Sequence, residues 1–123
     1  MTAVMDATNL LKSASVNDID GVYPNLLSAD IQADTSKTVI LVTDVNERYG
    51  SFGSNRSTTK DSTIALNIFY GINSNASRDT VEETIVSLFE DNDWRIIYSP
   101  GQTIDPDTQQ ITKIMQFSKT KGR

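Results

Sequence analysis

The sequence predicts an α+β domain: one mainly antiparallel four-stranded sheet with an N-terminal helix and a crossover helix packed on it, in the order α-β-β-α-β-β. Three observations lead there. Residues 4–14 and 81–89 place apolar side chains three, four and seven apart, the helical period. Four other stretches carry the β-branched runs or period-two alternation of strands. Finally, 123 residues without a shift in composition make one core, so residues 1–123 read as a single domain.

The first element is a helix over about residues 2–14, with Val4, Ala7, Leu10, Leu11 and Ala14 along one stripe and Thr2 as N-cap. Residues 15–37 mix apolar side chains with Asn, Asp and Ser in no clean period. They read as a connector with a short helical turn after Pro24, pinned by Tyr23 and Leu26 or Leu27. Thr38 to Asp44 is a buried strand, apolar on both faces through Val39, Ile40, Leu41 and Val42.

Val45 to Asp61 then breaks the pattern. It is rich in Ser, Gly, Asn and Thr and shows no periodicity that would build a core, so 45–61 reads as a long flexible interaction loop. Within it Glu47, Arg48, Arg56 and Lys60 sum to +2, and Tyr49 and Phe52 have no evident core partner.

Ser62 to Tyr70 alternates as a second strand, with Ile64, Leu66, Ile68 and Tyr70 on one face. Gly71 and Asn73-Ser74-Asn75 end it. A second helix opens on Asp79-Thr80-Val81-Glu82, a capping-box pattern, and buries Val81, Ile85, Leu88 and Phe89. Its exterior acids include Glu90 and Asp91 at the C-terminal end, against the helix dipole. Trp94 to Ser99 is the third strand and Thr108 to Ser118 the fourth, the two forming a hairpin with Lys113 near an edge. The basic tail 119–123 is expected to fray.

Composition excludes much chemistry. With no cysteine and no histidine, disulfide frameworks, thiol redox reactions, Cys/His zinc sites and histidine-dependent catalysis all fall away. The remaining metal candidates, Asp91 with Asp93 and Asp105 with Asp107, do not match a calcium loop, since Trp94 follows the first pair and Thr108-Gln109 the second. Gly50 to Ser57 lacks the Gly-Lys-Ser/Thr of a phosphate loop and is followed by a strand. No acid–base dyad emerges, so the expectation is no enzyme, no cofactor and no metal. A net charge of −5 disfavours a general nucleic-acid or membrane-surface binder, and the N-terminus lacks the basic, apolar pattern of a signal peptide. Charge is unevenly spread: −6 over residues 79–93 and +4 from residue 108 onward.

Several runs in the second half are informative together: Phe69-Tyr70-Gly71, Glu82 to Phe89, Asp93-Trp94-Arg95-Ile96, Asp105 to Lys113, and Phe117-Ser118-Lys119, with Val22-Tyr23-Pro24-Asn25 as a weaker echo. They resemble a small tail-associated protein family of long-tailed bacteriophages of Gram-positive bacteria. Size and element order are also similar to the tail terminator, or tail completion, proteins. That resemblance implies a structural virion protein that caps the tail tube as a hexameric ring and joins it to the head connector. It would be made in the host cytoplasm and end at the head-proximal end of the tail, letting DNA pass without specific binding and touching no membrane. On this reading Arg48, Tyr49, Phe52, Arg56 and Lys60 would meet a neighbouring subunit or the tail tube. Glu82, Glu83, Glu90 and Asp91 would line an acidic lumen, unless they simply form a solvated helix face. The alternatives are another head-tail connector or tail-tube component and, from another class, a small phage-encoded binding or inhibitor protein. An enzyme using the aspartate pairs ranks behind these.

Overall fold

A computed structural model describes residues 2–14, 16, 18–27, 36–53, 56–72, 78–106 and 109–122. The elements are α1 (Ala3–Ala14), β1 (Gly21–Pro24), β2 (Val39–Gly53), β3 (Arg56–Phe69), α2 (Arg78–Glu90), β4 (Arg95–Tyr98), β5 (Thr103–Ile104) and β6 (Ile111–Gly122). The α+β class holds, but the sheet has six strands and is mixed, in the order β1-β2-β3-β6-β4 with β5 also on β6. β1 runs parallel to β2, while every other pairing is antiparallel. Both additional strands are too short to carry a period, which is why β1 reads from sequence as connector and β5 as turn.

Ile40, Val42, Ile64, Leu66, Ile68, Met115 and Phe117 form the apolar face of the sheet. Val4, Ala7 and Leu11 of α1 and Val81, Ile85 and Phe89 of α2 close over that same face in one core. The opposite face carries Leu41, Thr43, Thr63, Ala65, Asn67, Ile114 and Gln116, and no described helix packs there.

Local signals explain the helix ends. Thr2 caps α1 as expected, its Oγ1 accepting the Met5 N–H at 3.2 Å. Ala14 departs from the predicted stripe and is exposed. α2 starts at Arg78, so Asp79 lies inside the first turn instead of capping it. Glu82 correspondingly does not reach back to the helix start. At the other end Asp93 takes a left-handed φ of 71°. Its N–H reaches the Glu90 carbonyl at 3.3 Å and the Trp94 N–H reaches the Phe89 carbonyl at 3.0 Å, the two bonds of a Schellman cap. The accompanying apolar contact is the tilted Phe89–Trp94 ring pair, centroids 5.7 Å apart. Trp94 is thus core.

Two further corrections concern extended chain. The tail expected to fray is strand as far as Gly122, paired with β3 through Thr59, while Arg123 lies outside the described residues. In the connector Leu27 is buried and Leu26 exposed. Of the helical turn expected after Pro24, the described residues Asn25 to Leu27 form none, and residues 28–35 lie outside the described ones.

Candidate functional site

The predicted loop 45–61 is a β-ribbon. β2 and β3 pair in register from Val39–Phe69 to Gly53–Arg56, leaving only Ser54 and Asn55, outside the described residues, between them. Val45 is the extra residue of a bulge between Asp44 and Asn46, which bends and twists the ribbon where the core ends. From Asn46 to Gly53 the ribbon spans about 25 Å at strand rise. β6 supports it on the β3 side as far as Thr59. On the β2 side β1 stops at Val42, and no other described strand takes its place.

The arm is a ladder of mixed charge. Lys60 pairs with Glu47 at 3.0 Å, and Arg48 stands directly opposite Asp61. With Asp61 included, residues 45–61 carry +1. Arg56 is exposed in the last described pair before the tip, opposite Gly53. Tyr49 is exposed, whereas the Phe52 side chain lies outside the described residues. The structure therefore brings Arg48, Tyr49, Arg56 and Lys60 onto one projecting element.

The four helix acids separate. Glu83, Glu90 and Asp91 are exposed, so water solvates the carboxylates that oppose the helix dipole. Glu82 is not on that surface. Its side chain is 14 % exposed and lies 3.8 Å from the ammonium of Lys113, itself 10 % exposed. Lys113 does not sit near an edge: β6 is flanked by β3 and by β4 with β5, and Lys113 faces the core beside Ile68. Its ammonium also donates to the Pro100 carbonyl. Gln102 completes the cluster, donating to Glu82 Oε2 at 2.8 Å and accepting from Arg78 Nε at 3.0 Å. Helix, turn and sheet are thereby tied around one buried ion pair. The neighbouring Tyr70 hydroxyl is buried with no hydrogen-bond partner among the described residues, although Glu82 lies close enough to act on it. Burial foremost, then the Glu82 charge, pushes the phenol well above the ordinary tyrosine range. The geometry assigns this cluster to holding the fold, since Tyr70 is 3 % exposed.

The runs that carry the phage-tail resemblance meet here. Tyr70 N–H donates to the Ile111 carbonyl at 2.9 Å, and Gln110 Nε2 donates to the Tyr70 carbonyl at 3.4 Å. Asp105 N–H to Gln110 O and Gln109 N–H to Asp105 O, both 2.8 Å, close the β5–β6 turn, with Gln109 at a left-handed φ of 65°. Gly71 permits the Ser36–Lys37 backbone to pass above it: a Cβ there would stand 2.4 Å from the Ser36 carbonyl oxygen. Arg95 donates from Nη1 to Thr120 Oγ1 at 3.3 Å. Among the described residues no three acidic side chains gather to hold a metal ion; Asp107 of the second pair lies outside them.

The positions that sequence reasoning missed are Val45, Ile97 and Tyr98, all exposed at sheet edges. Alternation in Trp94 to Ser99 already sets Ile97 opposite the core-facing Ile96, a usable sign of outward exposure.

The chain matches the family described as Protein of unknown function (DUF806) over residues 2–121 and belongs to it. No curated protein matches it. No described helix is long and apolar enough to cross a membrane.

Proposed function

We propose that this protein is a structural virion protein of a long-tailed bacteriophage, a tail terminator that caps the tail tube as a ring and joins it to the head connector. The observation that carries this reading is the projecting β2–β3 arm. An element about 25 Å long, beyond the helix-covered core and with no described strand along its outer edge, is suited to contacts between subunits and not to enclosing a small substrate. The runs resembling the tail-associated family support the same reading. In the ring, Arg48, Tyr49, Arg56 and Lys60 meet a neighbour or the tube, Phe52 belonging to the same arm. Exposed Glu83, Glu90 and Asp91 face the lumen and keep DNA from sticking. Glu82 is spent on Lys113 and is not among them.

The ring is a hexamer, delivered from the host cytoplasm to the head-proximal end of the tail, with no catalytic role. Removing the gene from the encoding phage is expected to leave filled heads and free tails of irregular length that fail to join. Normal joined particles would contradict the proposal. Regular tails attached to no head would favour the other connector reading.

A further inference from the structure

A cavity of about 370 Å³ opens where the end of α1 meets β1 and β2, on the β1 flank of the sheet. Val16, Ile19, Val22 and Ile40 make it apolar, and exposed Lys12 is the one charged side chain in its described lining. An apolar void of roughly 150 Å³ already accepts a benzene ring, so this one has room for a large aliphatic side chain.

The side chain that fits it stands on the opposite flank. Ile104 of β5 is 61 % exposed. One rung crosses the whole sheet through Gly21, Val39, Phe69, Thr112 and Thr103, and Ile104 is the residue next to it. Gly21 also lines the cavity, so cavity and Ile104 are level along the strands. Ile104 lies opposite Ile111, which alternates in step with Met115 and Phe117, so both are on the helix-covered face. The other exposed apolar side chains lack one of these properties. Leu26 follows β1 on the cavity's own flank, and Ile114 is on the opposite face. Tyr98, beside Ile97, is on the rung of Gln116, Ala65 and Thr43, past the last β1 pair at Pro24 and Val42. Ile72 follows central β3, and Val45 and Tyr49 belong to the arm.

Charge agrees with the shape, since Asp105 follows Ile104 and Lys12 stands at the cavity rim. The geometry points to a head-to-tail contact in which Ile104 of one copy of this chain enters the cavity between α1 and β1 of the next. Copies side by side in one orientation, about an axis along the strands, present the two at the same height. Knob and cavity on opposite flanks make the contact heterologous, so it propagates from copy to copy until the ring closes. This inference rests on the ring reading above and specifies a subunit contact for it.

The absence of native cysteine allows a direct test by oxidative cross-linking. Lys12→Cys/Asp105→Cys places thiols at the rim and beside the knob, leaving Ile104 in place. Lys12→Cys/Ile97→Cys, with its second thiol at the wrong height, is the control. Light scattering of each sample gives the assembly state. The first pair is expected to give a reducible ladder beyond dimer, at least five-fold stronger than the control, while single variants stop at dimer. Adding Ile104→Asp to that pair should remove the ladder with the circular dichroism spectrum unchanged. Assembled protein with no ladder above control, or a ladder that survives Ile104→Asp, assigns the cavity to another occupant and leaves the ring reading standing. A double variant that stops at dimer overturns the head-to-tail arrangement. A chain that stays monomeric at high concentration also overturns the contact, and detection in virions then decides the tail reading separately.

Discussion

Single residues test the buried polar cluster and the cap. Tyr70 buries a hydroxyl without a partner among the described residues, a desolvation cost of about 1–3 kcal/mol. Tyr70→Phe is therefore expected to be neutral or stabilising by up to about 1 kcal/mol in chemical denaturation. A loss would reveal a bond to Glu82. The raised phenol pKa has a definite sign. The folded state keeps the proton that the unfolded chain releases near its ordinary value of 10.0, so stability falls as pH climbs past that value. The wild-type decline should be steeper than that of Tyr70→Phe by up to about 1.4 kcal/mol per pH unit. Glu82→Gln leaves Lys113 buried without its counter-charge and should cost about 3 kcal/mol, read as a lowered denaturation midpoint. Restoring an apolar pair with Glu82→Leu and Lys113→Met should recover most of it. Asp93→Gly relieves a left-handed φ and should raise stability by up to about 1 kcal/mol.

At the scale of elements, the arm separates assembly from folding. Replacing residues 49–60 by an Asn-Gly turn joins Arg48 to Asp61, which already face each other across the ribbon. No residue of the core cluster lies in that stretch. The shortened chain should keep its circular dichroism spectrum and lose no more than about 2 kcal/mol, since exposed cross-strand pairs contribute only tenths each. It should fail to assemble. The arm also shows where sequence reading stops. Val39 to Val42, Val81, Ile85 and Phe89 are legible because burial imposes apolar side chains at a fixed period. None of the described side chains of residues 46–60 joins the core, so nothing in Ser, Thr, Asn and Gly distinguishes a ribbon from a loop. Pairing with a distant strand, as β1 makes with β2 and Lys119 to Gly122 make with β3, leaves no local trace either. Lys113 misled for the opposite reason. A lysine in an apolar alternation reads as an edge residue until the acid that compensates it, Glu82, is brought across from α2.

On the scale of the whole molecule, charge is unevenly distributed along the chain. Exposed acids gather on α2 and the turn that follows it at Asp79, Glu83, Glu90, Asp91 and Asp93, while the arm sets its cations against Glu47 and Asp61. Residues 79–93 carry −6 and residues from 108 onward +4, so the two ends of the second half oppose each other in charge. The most direct measurement is electron microscopy of purified particles of the encoding phage, labelled with antibody against this chain. The account predicts label confined to the junction between head and tail. Label along the tail shaft, or none on the particles, would contradict it.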